Sequence, residues 1–439
     1  MLAQLLLSLS FLVAVHEFGH LIAAKYFGMR VEQFSIGFPP KIWSFKKGET
    51  EYAISAIPLG GYVKISGMID ESLDLETMKQ PPQPWEFRSK PAWQRLIVML
   101  GGIFVNVVVG ILIFIGITYA YGDTYLLKDV INANGGFQVL EVGKSIGLET
   151  GDKIVRINGR EYEYLEDLIS PATLLATNAS YTVERDGEMV EIPIPEDFIQ
   201  KFNKKETAVN FISYRFPAVV ASTAPESVAE AMGLQKGDRI IELNGNPISF
   251  NDQIVSFLKT KPDSLHLKVN RAGEVLSFSE SFKDKDMLGI AVSRQNDFLE
   301  KAERRITYSF AQSIPLGTER AFSTLVVQIK AFGKIISGAL SAKESLSGPI
   351  GIMQAFGPTW DWEKFWSLTG VLSLVLAFMN LLPIPALDGG HVMFLSYEII
   401  SRRKPSDKFL ETAQKVGLVF LLGLMVFIFA NDIIKLLPG

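Results

Sequence analysis

Four stretches of the chain are apolar for long enough to cross a bilayer, and the polar positions gather between them. Leu2–Ala24 is the first, about 34 Å long if helical at 1.5 Å per residue. Trp93–Tyr121 is the second. The third occupies Phe365–Leu382 and resumes after a break as Val392–Ile400, and the fourth covers Val416–Ile434. The first does not read as a signal peptide. No basic segment precedes it, and Lys25-Tyr26-Phe27 stands where a small-residue cleavage site would be. Nor does it read as a soluble core helix, which seldom runs so far without a polar face. Over Ile306–Leu340 apolar and charged residues recur at helical spacing, with Pro315 and Gly317 expected to interrupt the helix early. This segment predicts an amphipathic connector along the outer membrane interface, serving as a plain link or as a gate.

Between the second and third apolar stretches the pattern shifts to period-two alternation punctuated by turns, and it repeats. Gly151-Asp152 and Asn158-Gly159 recur 86 residues later as Gly237-Asp238 and Asn244-Gly245, inside a shared string GLxxGDxIxxxNG. In each copy a G-D turn leads into an alternating strand and an N-G pair marks a hairpin. A period this long means two duplicated domains rather than a solenoid. The string resembles bacterial, circularly permuted PDZ domains, which bind extended peptides by strand addition. That resemblance makes Gly289 and Ile290 groove residues of the second copy. The alternative is a pair of inert spacer domains.

Composition narrows the class. The chain is 48% hydrophobic with 439 residues, too apolar for an ordinary soluble enzyme and too long for one domain. Its net charge of −4, with no basic domain, argues against a nucleic-acid partner. The absence of cysteine excludes disulfides, thiolate zinc sites and cysteine catalysis. Lysine and arginine crowd two loops: Lys25, Arg30, Arg88, Lys90 and Arg95 after the first stretch, and Arg402, Arg403, Lys404 and Lys408 before the fourth. By the positive-inside rule both loops face the cytoplasm, leaving both termini and the repeated region outside.

The candidate chemistry lies inside the first apolar stretch. His16, Glu17 and His20 form an H-E-x-x-H, which on a helix sets two imidazoles on one face beside a carboxylate, the arrangement of zinc peptidases. Three ionisable groups in a membrane helix cost roughly 2.5–3.5 kcal/mol each on insertion scales, and a bound metal ion offsets that cost. Haem ligation, transport or a structural histidine pair would use the same letters. Only His266 and His391 remain as further histidines, so a third ligand is one of these or a carboxylate. The outstanding candidate is Asp388, where Pro383 and Pro385 break the third stretch and a new helix begins. His391 reads as an outer donor or a solvated side chain. His16, His20, Asp388 and a water would give one four-coordinate Zn2+, with Glu17 as general base. His16 lies about 13 Å of helix from Lys25, which sets the metal below the membrane surface on the cytoplasmic side.

HEFGH on the first span together with N-x-x-P-x-P-x-L-D-G on the third resembles the site-2 protease family of intramembrane metalloproteases, and the resemblance covers essentially the whole chain. It implies cleavage of single-pass membrane proteins, such as a pre-trimmed anti-sigma factor in a stress response, or remnant signal peptides. It implies that His16, His20 and Asp388 bind the metal, that Glu17 is catalytic, and that Asn380, Pro383 and Pro385 shape the substrate cleft. Residues 52–57 and 62–65, joined around Gly60 and Gly61, read as a β-hairpin dipping at the membrane, resembling the family's membrane-reentrant β-loop. Its edge, with Ile54, Gly60 and Gly61, would pair with unwound substrate. Gly102, Asn106 and Gly110 fall four apart, a small-residue stripe for helix packing that matches the family's G-x-x-x-N element. Gly37-Phe38-Pro39-Pro40 departs from the family's G-F-G-P and is expected to stiffen that loop.

The expected fold is therefore a multi-domain membrane protein: a four-span helical core, a cytoplasmic or reentrant β-hairpin, and two extracytoplasmic α+β PDZ-like domains. The segments are 1–121, with the β-loop at about 31–67, then 122–215 and 216–303 as the PDZ-like pair, 304–362 as connector and 363–439 as the last two spans. The setting is a bacterial inner membrane, with lipid, membrane-protein substrates and peptide ligands of the PDZ grooves as partners. The competing readings are a PDZ scaffold with a dead metal site and a metal or proton transporter. Glu17 speaks against the first, since a scaffold needs no base. The second requires further polar residues along a path across the membrane, and none is evident.

Overall fold

A computed structural model describes residues 1–68, 81–202, 210–283, 285, 287–292 and 301–436. The chain divides into two compact units, residues 1–123 with 306–439 and residues 124–305.

The first unit is built on helices α1 (Leu2–Tyr26), α2 (Ala92–Tyr121), α3 (Phe310–Ile336), α4 (Pro349–Phe356), α5 (Trp362–Leu381), α6 (Asp388–Ser401) and α7 (Asp407–Leu436). Four of them, α1, α2, α5 and α7, are long and apolar enough to span a membrane. Within α1 the polar residues Gln4, Ser8, His16 and His20 are all buried. Each neighbouring pair, Gln4 with Ser8 and His16 with His20, is four apart and shares a face, and all four are covered by the rest of the unit, as polar side chains in an apolar span require. Gln4 reaches the Thr359 carbonyl at 3.1 Å and Ser8 meets Thr369 of α5 at 2.9 Å.

Small residues let these helices approach closely. A Cβ on Gly19 would lie 2.3 Å from the Gly101 carbonyl oxygen, and one on Gly110 2.6 Å from Leu374 of α5. The connector differs from its sequence reading. Pro315 and Gly317 do not interrupt α3, which runs unbroken for 27 residues. Pro315 sits near the helix start, where its missing N–H forfeits one bond, and the Ser309–Gln312 capping box secures the end. Gly317 is a contact residue: a Cβ there would fall 2.5 Å from the backbone of Ile115 on α2.

Asp432, near the end of α7 and almost fully buried, accepts from the backbone N–H groups of Gly348, Ile350 and Gly351 at 2.9–3.2 Å. Its charge caps the N-terminus of α4. Replacing it with leucine leaves up to three N–H groups unpaired, at roughly 1–3 kcal/mol each. Asp432→Leu is expected to lower the thermal midpoint of the detergent-solubilised chain by several degrees, with Asp432→Asn in between. Equal melting of all three would show the cap to be inert.

β1 (Val31–Lys47) and β2 (Thr50–Ile65) form a bent sheet rather than a simple hairpin. Residues 52–57 and 62–65 do not pair with each other as the sequence suggested. Both strands fold back, so Phe34 is opposite Tyr52 on one side and Val63 on the other, while 41–47 pair with 50–55. Residues 61–65 are left along an outer edge. Gly37, at φ +90°, permits one of the bends.

The second unit carries the repeat. Strands 153–157, 160–161, 180–185 and 188–193 form one four-stranded sheet, and 239–243, 246–247, 264–271 and 274–281 form its counterpart. The copies share their buried chemistry at the same offset. Arg185 pairs with Asp152 as Arg271 does with Asp238, each at 2.7 Å, and each arginine also bonds the carbonyl of Gly147 or Gly233. Hydrogen bonds from Arg271 hold the Asp238 carboxyl below its ordinary range. Asn158 accepts the N–H of Ser180 and Asn244 that of His266, each on the strand that pairs with the one the asparagine follows. The G-D and N-G signals are thus explained: the aspartate anchors an arginine and the asparagine takes a left-handed turn conformation.

Candidate active site

Three ligand-type atoms converge inside the helical unit. His16 Nε2 and His20 Nε2 lie 3.0 and 3.3 Å from Asp388 Oδ2 and 3.3 Å from each other. Helix geometry brings the histidines together, since residues four apart share a face. The break at residues 382–387 brings Asp388, which opens α6. Gly389 and Gly390 make that turn possible: Cβ atoms there would come within 2.1 and 2.6 Å of the Leu382 and Ile384 carbonyl oxygens. Ala386 holds φ +81°, a strained conformation for a residue with a Cβ and one that clusters at functional sites.

The donor set fits a zinc ion. Ligand atoms about 2.0–2.1 Å from a tetrahedral centre stand roughly 3.3 Å apart, which is the spacing found. Asp388 Oδ2 is buried with only the two imidazole nitrogens beside it, and where both present lone pairs a cation is what would satisfy it. His20 Nδ1 is 2.8 Å from the Val98 carbonyl of α2, so its proton is held there and Nε2 faces the cluster as a bare lone pair.

The group opens onto a cavity of about 650 Å³ lined by Glu17, Asn380, Gly61, Val63 and Leu387 among others. Glu17 is partly exposed to it and stands outside the three-atom cluster. A Cβ on Gly61 would lie 2.6 Å from the Ser35 carbonyl oxygen and 3.0 Å from Val13 Cγ1, so glycine lets this strand lie close against α1 beside Glu17. Gly60 makes room for the Phe38 ring in the same way. Asn380 Nδ2 is 3.2 Å from His16 Nε2.

Of the other candidates, Gly60 and Gly61 line the cavity, and Ile54 does not, standing half-exposed on the sheet. Pro385 lines a smaller adjoining cavity with His391 and Gln414; Pro383 lines neither. His391 borders both cavities but is not in the ligand cluster. In the second unit His266 bonds Ser279. Gly289, at φ +80°, packs where a Cβ would strike Ser227, and Ile290 begins a strand paired with residues 220–223. Phe38 and Pro39, noted only as a departure from pattern, line the main cavity.

Sequence reasoning underread Gly102 and could not have found Val98. A Cβ on Gly102 would lie 2.5 Å from His20 Nε2 and 2.6 Å from His16 Cε1, so this glycine houses the imidazole pair as well as packing the helices. Val98 contributes a carbonyl, which every residue owns.

Residues 4–424 match the model of peptidase family M50. A regulator of sigma E protease from Haemophilus influenzae is 30% identical, aligned over 99% of each chain. A Neisseria meningitidis protein named as a zinc metalloprotease is 28% identical over 97% of each. The regulator of sigma-E protease RseP of Salmonella typhimurium is 27% identical over 99% of this chain and 98% of its own.

Proposed function

Because the chain belongs to peptidase family M50, and is a zinc metalloprotease of the site-2 type built on membrane-spanning helices, we propose that it cuts single-pass membrane proteins within their transmembrane segments. The observation that carries this reading is the convergence of His16, His20 and Asp388 at tetrahedral spacing, on helices of span length, beside Glu17. His16, His20 and Asp388 would hold one zinc ion. Bound there, zinc would supply a Lewis acid that activates a water and polarises the scissile carbonyl.

The chain's own groups do the rest. Glu17 takes the proton from the attacking water and returns it to the leaving amine. A transmembrane helix hides its amides in its own hydrogen bonds, so the substrate must unwind before it is cut. The outer edge at residues 61–65 borders the cavity and offers replacement partners by strand addition. Asn380 orients substrate beside His16, and the Pro383–Pro385 turn shapes the cleft. Exposed Ile42, Trp43, Phe45, Ile54 and Ile57 make the sheet apolar enough to dip into lipid.

The setting proposed is a bacterial inner membrane, with the lysine- and arginine-rich loops and the metal toward the cytoplasm and the second unit outside. The shared string and repeated buried pairs of that unit support two PDZ-like domains, which screen substrates by bulk. Anti-sigma factors trimmed outside the membrane, and remnant signal peptides, fit such a filter.

The direct test is cleavage by the full chain, reconstituted in lipid, of a tagged single-pass substrate lacking its outer domain. The cut is expected inside the apolar segment, abolished by a zinc chelator and restored by zinc. A cut outside that segment, or one indifferent to the chelator, would defeat the proposal. For the filter, deleting residues 126–300 is expected to let untrimmed substrate be cut. If trimmed substrate alone is still cleaved by that variant, bulk exclusion is the wrong explanation.

A further inference from the structure

We propose that Asn106 is a positioning residue that holds His16 in its metal-binding tautomer, its carboxamide oxygen accepting the Nδ1–H of His16. This rests on the metal centre proposed above. His16 Nε2 faces Asp388, His20 and Asn380, so a cation there needs Nε2 bare and the imidazole proton on Nδ1. His20 solves the same problem with the Val98 carbonyl, a group that only accepts. His16 Nδ1 instead faces the Asn106 carboxamide at 3.1 Å.

A carboxamide carries a donor at one end and an acceptor at the other, exchanged by a half-turn about its last bond. With Nδ2 toward His16, Oδ1 is buried without a partner. The half-turn sets Oδ1 against Nδ1–H and leaves the Nε2 lone pair free for the ion. The opposite orientation suits the ion-free site, where Nε2–H can point at Asp388. Asparagine therefore serves both states, whereas a carboxylate would serve only the metal-bound one. The side chain is held in place by burial. Asn106 is 0% exposed; its backbone carbonyl, separate from the carboxamide, accepts from Ser373 Oγ of α5 at 2.8 Å, a bond that joins α2 to α5 without touching the side chain.

The test is the zinc affinity of the full chain in detergent, measured by competition with a chromophoric chelator. Folding is checked by circular dichroism and elution volume. Asn106→Leu is expected to weaken zinc binding by about 10–100-fold, the usual loss for an outer-shell partner. Asn106→Asp keeps an acceptor for Nδ1–H and is expected to bind close to wild type. Ser373→Ala, which cuts the neighbouring bond at the same helix contact, is expected to leave affinity unchanged. The inference falls if Asn106→Leu binds like wild type, if the aspartate variant loses as much as leucine, or if Ser373→Ala loses as much as either. A wild-type chain that binds no zinc would sink the metal centre itself.

Discussion

Glu17→Gln is expected to lower the rate of peptide cleavage by about 10²–10⁴-fold while zinc stays bound. The two side chains have nearly the same size and shape, so the helix and its packing are preserved. Glu17 is outside the cluster of His16, His20 and Asp388, and its amide replacement removes no ligand atom. What is lost is a proton acceptor facing the cavity. That loss corresponds to about 3–5 kcal/mol of barrier at 1.36 kcal/mol per tenfold. Zinc content and turnover of the two proteins, measured on one trimmed substrate, separate the roles. Wild-type turnover in the variant would remove Glu17 from the chemistry, and loss of zinc together with activity would make it part of the metal site.

Gly102→Ala is expected to be nearly as damaging, for a reason of space rather than chemistry. Its Cβ would lie 2.5 Å from His20 Nε2 and 2.6 Å from His16 Cε1, well inside contact distance. Neither ring can swing away cheaply, since His20 is tied to Val98 and His16 to Asn106. Either α1 and α2 separate or the imidazoles leave Asp388. The first escape would open the tight contact of Gly19 with Gly101, where a Cβ on Gly19 would lie 2.3 Å from the Gly101 carbonyl oxygen, and so would forfeit helix packing. Overpacking of this kind costs roughly 1–3 kcal/mol of stability. A misplacement of about 1 Å at the reacting groups can cost 10²-fold in rate. Gly116→Ala on the same helix has nothing within 4 Å of its Cβ and is the matched control. If both alanine variants keep zinc and activity alike, the space around the imidazoles is looser than these distances imply.

The candidate cluster was legible wherever its geometry is local. His16, Glu17 and His20 belong to one turn of one helix, and Asp388 betrayed itself as a carboxylate at a double-proline break in an apolar run. In the second unit Asp152 was visible only as part of a repeat, and its partner Arg185, 33 residues on, was not visible at all. What escaped depends on contacts that no residue type announces. Gly102 reads as a packing glycine until the histidines are seen against it. The bent sheet defeated a simple hairpin reading because β1 and β2 each fold back, giving Phe34 two partners that spacing alone does not rank. Pro315 misled because the Ser309–Gln312 capping box and the close packing of Gly317 on α2 carry the helix through a proline that would otherwise break it. Asn431 and Asp432 were passed over, although polar residues closing an apolar span were signal enough to look for a buried partner.

The outer edge at residues 61–65 has a consequence for the newly made chain. Before insertion in lipid, an apolar sheet with no further strand laid along one edge is a template for any other extended segment, including the same segment of a second chain. Lys64 on that edge, and Lys41, Lys46 and Lys47 on the opposite one, place charge where such stacking would begin, the role of gatekeepers against aggregation. Replacing Lys64 by an apolar residue would thus be felt first as lost yield during biogenesis.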